Sequence, residues 1–166
     1  MNSIKKITLS GFFCALAVVG SFISIPVMGS RCAPVQHMVN VMAAVILGPW
    51  VGLAIAFCSS LLRNIMGVGS LLAFPGSMFG VFIAGILYRK TKSILYACIG
   101  EAFGTGIIGG ICAYPIAILF MGKSAAEWGY FVYVIPFLIS TVVGSIIGGL
   151  LVFSISKSKA LNLNNI

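Results

Sequence analysis

Residues 61–80 read LLRNIMGVGSLLAFPGSMFG. An apolar run reaches Arg63 and Asn64, breaks in a Gly-rich turn, and restarts at Phe74-Pro75-Gly76-Ser77. Proline fits the first turn of a helix and little else, so Pro75 marks a new helix preceded by irregular backbone. Irregular backbone at membrane depth survives only where protein buries it or where it lines a cavity. Polar groups inside a span also need partners that hydrocarbon does not supply. A polar pocket is therefore expected beside this turn.

The wider composition puts that stretch in a membrane. The 166 residues are 60% hydrophobic and 7% charged, with a mean hydropathy of +1.17, the profile of an integral membrane protein forming one domain over residues 1–166. A net charge of +8 would point to nucleic acid in a soluble protein. Here it is read as basic cytoplasmic loops, and no nucleic-acid partner is expected. The five cysteines are scattered, odd in number and mostly within apolar runs. They read as small buried hydrophobes, not as a disulfide framework or a zinc site. No metal or cofactor is expected.

Hydropathy and punctuation divide the chain into six spans, near 7–25, 35–48, 50–66, 75–88, 94–120 and 130–155. Lys5 and Lys6 precede the first, which lacks a small-x-small cleavage pattern before Pro26 and is read as retained. Residues 26–34, PVMGSRCAP, are too rich in Pro and Gly for helix. Gly48-Pro49 stops the second span and starts the third, leaving the second only about 13 residues long, short for a crossing. The fourth is short as well. Gly106, Gly109, Gly110 and Pro115 are expected to interrupt the fifth. Lys5, Lys6, Arg89, Lys90, Lys92, Lys157 and Lys159 fall on the side of both termini, so the positive-inside rule makes both termini cytoplasmic.

This topology gathers polar residues in the outer half. Gln36 and Asn40 are four apart on one face of span two, with His37 beside Asn40. Arg63 and Asn64 approach the outer end of span three, and Ser77 sits just inside span four, near backbone N–H groups that lack helical acceptors. Phe74, Tyr114 and Trp128 are candidate aromatic walls. Glu101 lies about two turns into span five, with Thr105 one turn on along the same face. It either reaches the pocket floor or pairs structurally with a basic residue. Other readings stand beside these: His37 and Asn40 as interhelical hydrogen-bond partners, Arg63 snorkelling to the interface, and Trp50 as a belt residue.

Catalysis has little to draw on. Glu101, Glu127 and His37 are the whole carboxylate and imidazole inventory, with no D-x-x-D or H-E-x-x-H pattern. No G-x-x-x-x-G-K-[ST] loop occurs, so the chain is not its own ATPase. A purely structural subunit would account for the glycines but not for the clustered outer polar residues.

Four segments, CAPVQHMVNVMAAVILGPW, LLRNIMGVGSLLAFPGSMFG, LYRKTK and GEAFGTGIIGG, occur in this order and together resemble the ThiW family. That family is similar to the substrate-binding S components of energy-coupling factor (ECF) transporters. The resemblance implies an all-α integral membrane protein of six transmembrane helices in the plasma membrane, without enzymatic activity. It also implies a binder for a thiamin precursor, hydroxyethylthiazole, that works with a transmembrane coupling subunit and two cytoplasmic ATPases. The first span carries Gly11 and Ala15 on one face, and the resemblance implies that this face docks on the coupling subunit. Another small vitamin or heterocycle is the alternative ligand. A neutral heteroaromatic alcohol suits aromatic faces and a few hydrogen bonds, whereas an uncompensated Arg63 suits a phosphate or carboxylate unless Glu101 neutralises it.

Overall fold

The computed structural model describes residues 1–27, 30–122, 129 and 131–158. Six helices occur among them: α1 (Ser3–Gly20), α2 (Pro34–Ile46), α3 (Pro49–Ile65), α4 (Ala73–Thr91), α5 (Ile94–Met121) and α6 (Val134–Lys157). A two-stranded antiparallel hairpin, β1 (Ile25–Val27) and β2 (Ser30–Cys32), joins α1 to α2. Helices α1, α5 and α6 are long and apolar enough to cross a membrane, while α2 and α3 are shorter apolar helices.

The short α2 is the centre of the bundle. Ten of its 13 residues are buried, Gln36, His37 and Asn40 among them, and it packs against every other helix. Its Val39, Val41, Ala43, Ala44 and Val45 meet Phe13 and Ala17 of α1, Ile55 and Ala56 of α3, Val81 and Ala84 of α4, Ala97 of α5 and Val152 of α6. At 1.5 Å per residue α2 is about 20 Å long, less than the roughly 30 Å hydrocarbon thickness. Large apolar side chains such as Ile7, Phe12, Leu119 and Leu150 point outward, the arrangement expected where the solvent is lipid.

Close helix contact is bought with glycine. A Cβ at Gly144 or Gly148 of α6 would run into the backbone of α2 at Pro34 and Met38. In the same way Gly104 and Gly109 of α5 lie against the backbone of Gly80 and Gly76 of α4. Small residues four or five apart let helices approach to backbone contact, where dispersion and weak C–H···O contacts replace the hydrophobic effect.

The sequence reading needs correcting at several boundaries. The first helix ends at Gly20, five residues short of expectation, where the Ser21 hydroxyl donates to the Val18 carbonyl at 2.5 Å. The fourth is not short: it runs over 19 residues, because Arg89 and Lys90 extend it until Lys92 turns left-handed at φ 53°. The glycines and Pro115 do not interrupt α5. They are absorbed into a continuous helix with a π-helical stretch at Ala102–Gly109. π segments are uncommon and concentrate at functional sites. This one carries Thr105 and follows directly on Glu101.

Candidate functional site

A cavity of about 40 Å3 lies among the N-terminal ends of α2, α4 and α6, the C-terminal end of α3 and the π stretch of α5. That is room for about three water centres. Gln36 and His37 come from α2, Arg63 from α3, Ala73, Gly76 and Ser77 from α4, Thr105 from α5, and Phe137 and Ser140 from α6. Ala33, at the end of the hairpin, completes the wall with Gly69 and Ser70 of the turn before α4. Cys32 ties the hairpin to α6, its Sγ donating to the Pro136 carbonyl at 3.2 Å.

Below the cavity lies a buried polar network centred on Glu101, which is fully buried. Its Oε1 accepts from Asn40 Nδ2 at 2.9 Å and Thr105 Oγ1 at 3.0 Å, and lies 3.0 Å from His37 Nδ1. With three partners on one oxygen, the proton of the imidazole belongs on Nδ1, which leaves Nε2 as its remaining polar atom. Beside this network, Gln36 Nε2 donates to Ser77 Oγ at 2.5 Å, and Ser77 Oγ is 3.3 Å from Ser60 Oγ. Helices α2, α3, α4 and α5 are thus joined through side chains at one level.

Arg63 is placed differently. It is 3% exposed, and its Nε and Nη1 are buried without a hydrogen-bond partner among the described residues. Snorkelling is therefore corrected: the guanidinium is inside the protein. Neutralisation by Glu101 is corrected too: among the described residues Glu101 makes no ion pair with Arg63, its Oε1 meeting His37, Asn40 and Thr105 and its Oε2 lying buried without a partner. The backbone carbonyl of Arg63 accepts from Val68 and Gly69, folding the 67–72 turn back over it.

Gln36, His37, Arg63 and Ser77 thus line the cavity, and Asn40 and Glu101 support it from beneath. Asn64 instead fastens the turn, donating to the carbonyls of Ser60 at 2.8 Å and Ser70 at 3.1 Å. Asn64→Ala is expected to cost about 1–2 kcal/mol through the two lost side-chain hydrogen bonds and to weaken ligand binding by loosening the turn, read as a lowered unfolding midpoint and a raised Kd. Phe74 turns away, with its ring 5.7 Å from that of Phe57. Tyr114 packs beside a second apolar cluster of Leu72, Ala113, Ala117 and Tyr133. Trp128 lies outside the described residues. Phe137, the aromatic face that does line the cavity, and Ser140 were not singled out in the sequence. A hydroxyl four residues after Pro136 in an otherwise apolar run was the available signal.

A six-helix bundle with many large apolar side chains facing outward and a small cavity lined by polar and apolar groups is the form of a multi-pass membrane protein. Residues 7–158 match the family described as "Thiamine-precursor transporter protein (ThiW)", and the chain belongs to that family. It is also similar to the UPF0397 protein str0306 of Streptococcus thermophilus (strain CNRZ 1066), at 26% identity over 173 residues, covering 95% of this chain and 92% of that protein. The family is one of membrane transporters.

Proposed function

We propose that this protein is the substrate-binding S component of an ECF-type uptake transporter, taking hydroxyethylthiazole from outside the cell. The observation that supports this most is the cavity itself. Among the described residues it holds an aromatic face in Phe137 and is rimmed by Gln36, His37, Ser77 and Ser140, groups suited to a heteroaromatic ring with a hydroxyl once the cavity widens from its present room for about three waters. Both termini are cytoplasmic in this reading, so the hairpin end faces outward in the plasma membrane. The 26–34 segment closes over bound substrate. ATP hydrolysis by two cytoplasmic ATPases, relayed through a transmembrane coupling subunit, then reorients the bundle so that the pocket opens inward.

Calorimetry of the purified chain with hydroxyethylthiazole, competed by thiamin and by a pyrimidine precursor, tests the ligand. Saturable binding of the thiazole that thiamin and the pyrimidine displace only weakly is the expected result. Folded protein that binds none of the three would sink the thiazole assignment.

The docking reading has its own test. Gly11 and Ala15 are exposed on α1, a Cβ at Gly11 would meet nothing within 4 Å, and an apolar groove between α1 and α3 runs past Gly11. Gly11→Trp is therefore expected to leave folding and ligand affinity within about twofold, while co-purification with a coupling subunit falls strongly. Undiminished co-purification would remove this face from the interface.

A further inference from the structure

We infer that the cavity takes its substrate by an oxyanion, a phosphate monoester or a carboxylate, received by Arg63 with Ser140 and the converging N-terminal ends of α2, α4 and α6. This rests on the reading of the cavity as the substrate site, and it puts an anionic derivative of the thiazole ahead of the free alcohol as the preferred ligand.

Two side chains carry the inference. Arg63 lines the cavity at 3% exposure with Nε and Nη1 unpartnered among the described residues, and Ser140 lines it at 3% exposure with Oγ likewise unpartnered among them. A buried cation without a counterion is among the costlier arrangements a protein can hold, and removing one partner of a buried pair commonly costs several kcal/mol. Such a group persists where a ligand completes it. The chain contains only two acids. Glu101 makes no ion pair with Arg63 and does not line the cavity, its Oε1 being held by His37, Asn40 and Thr105, and Glu127 lies outside the described residues.

The backbone adds charge of the same sign. The cavity is walled by the first turns of α2 at Gln36 and His37 and of α4 at Ala73 and Gly76, and by the start of α6 at Phe137. Each helix start carries the positive end of a macrodipole, which favours an anion. Arg63 can donate to an oxyanion through several N–H groups and the Ser140 hydroxyl adds another, the donor set that distinguishes phosphate and carboxylate recognition from recognition of an alcohol. The same arrangement disfavours a cationic ligand, including the thiazolium of intact thiamin.

The test uses the full chain purified in detergent, with wild type, Arg63→Gln, Arg63→Lys and Ser140→Ala. The first readout is the unfolding midpoint in phosphate, in acetate and in chloride at matched pH and ionic strength. Phosphate or acetate is expected to raise the wild-type midpoint above chloride and to leave Arg63→Gln unmoved, with Arg63→Lys between them. The second readout is calorimetry with hydroxyethylthiazole, its phosphate ester and the thiazole acetic acid analogue. One of the two anionic ligands is expected to bind about tenfold or more tighter than the alcohol. Arg63→Gln should abolish that preference and Ser140→Ala should reduce it several-fold.

Whichever anion shows the preference identifies the oxyanion. No anion effect in wild type, an equal effect in Arg63→Gln, or an alcohol that binds as tightly as both anions would each overturn the inference. In the last case hydroxyethylthiazole uptake still stands. Anion stabilisation through Arg63 without binding of any thiazole supports the oxyanion subsite and overturns the thiazole reading instead. Arg63→Lys keeps the comparison available if Arg63→Gln does not fold.

Discussion

Replacing Glu101 with alanine is expected to destabilise the fold by about 3–5 kcal/mol, the sum expected when several buried donors lose a shared acceptor. The unfolding midpoint in detergent should fall by on the order of 10 °C, and ligand binding should be lost with it. The size follows from the number of groups that one oxygen satisfies. His37 Nδ1, Asn40 Nδ2 and Thr105 Oγ1 all converge on Oε1. Asn40 and Thr105 retain only the carbonyls of Ser77, at 3.4 Å, and of Gly76, at 3.0 Å. His37 retains nothing else among the described hydrogen bonds. Each buried donor left without an acceptor costs about 1–3 kcal/mol.

Glu101→Gln separates the two contributions. It keeps a carbonyl oxygen for the three donors and removes the charge, so its cost is expected at about 1–2 kcal/mol. Equal losses for the two variants would mean that the charge matters and the convergence on one acceptor does not. A loss under about 1 kcal/mol in the alanine variant would mean that water satisfies the donors as well as the carboxylate does.

Hydropathy and proline punctuation made six helices and their order readable, and Gly48-Pro49 located the α2–α3 junction because proline opens a helix and Gly48 adopts φ 85°. The helix ends were harder. Arg89 and Lys90 look like the end of a span, yet a helix continues past the hydrocarbon as long as its backbone bonds are made, and α4 stops only at Lys92. The Gly-rich middle of α5 looks like an interruption, but those glycines are spent on contact with α4 and α6, and a helix embedded between two others can widen without breaking.

The polar cavity beside the 61–80 stretch was legible for a similar reason. In hydrocarbon a buried polar side chain has few places to go, and the Gln36/Asn40 spacing puts both on one face of α2 whatever its neighbours are. Phe137 and Ser140 were not legible. Their facing depends on the rotation of α6 about its axis, which is fixed by Gly144 and Gly148 against the α2 backbone. The direction of Phe74 likewise depends on Phe57 across the α3–α4 contact. Pattern along one helix gives a face, and only the neighbour says what that face meets.

Gly80→Ala carries the second large expected effect, and it shows how the apolar packing and the polar network depend on each other. A Cβ at residue 80 would overlap Thr105 Oγ1 and come within 2.6 Å of Glu101 Oε2 and 2.8 Å of its Cδ. None of these atoms is a flexible tip free to swing away, because Thr105 and Glu101 are held by Gly76, His37 and Asn40. A Cβ at Gly104 would itself come within 2.8 Å of the Gly80 Cα, so the two backbones are already close and α4 cannot shift alone. One methyl group therefore drives α4 from the π stretch or breaks the carboxylate network, at about 3 kcal/mol or more, the upper end for overpacking. The gain in helix propensity from Gly to Ala, about 1 kcal/mol, does not offset it. Adding Thr105→Ala removes the overlapping hydroxyl but leaves the carboxylate contact, so the double variant is expected to recover stability only in part, with non-additive energies measured by thermal unfolding of all four proteins. Ligand affinity should follow stability through this cycle. A single Gly80→Ala variant as stable as wild type would mean that α4 and α5 are not in backbone contact in the membrane, and the position of Glu101 beneath the cavity would fall with that contact.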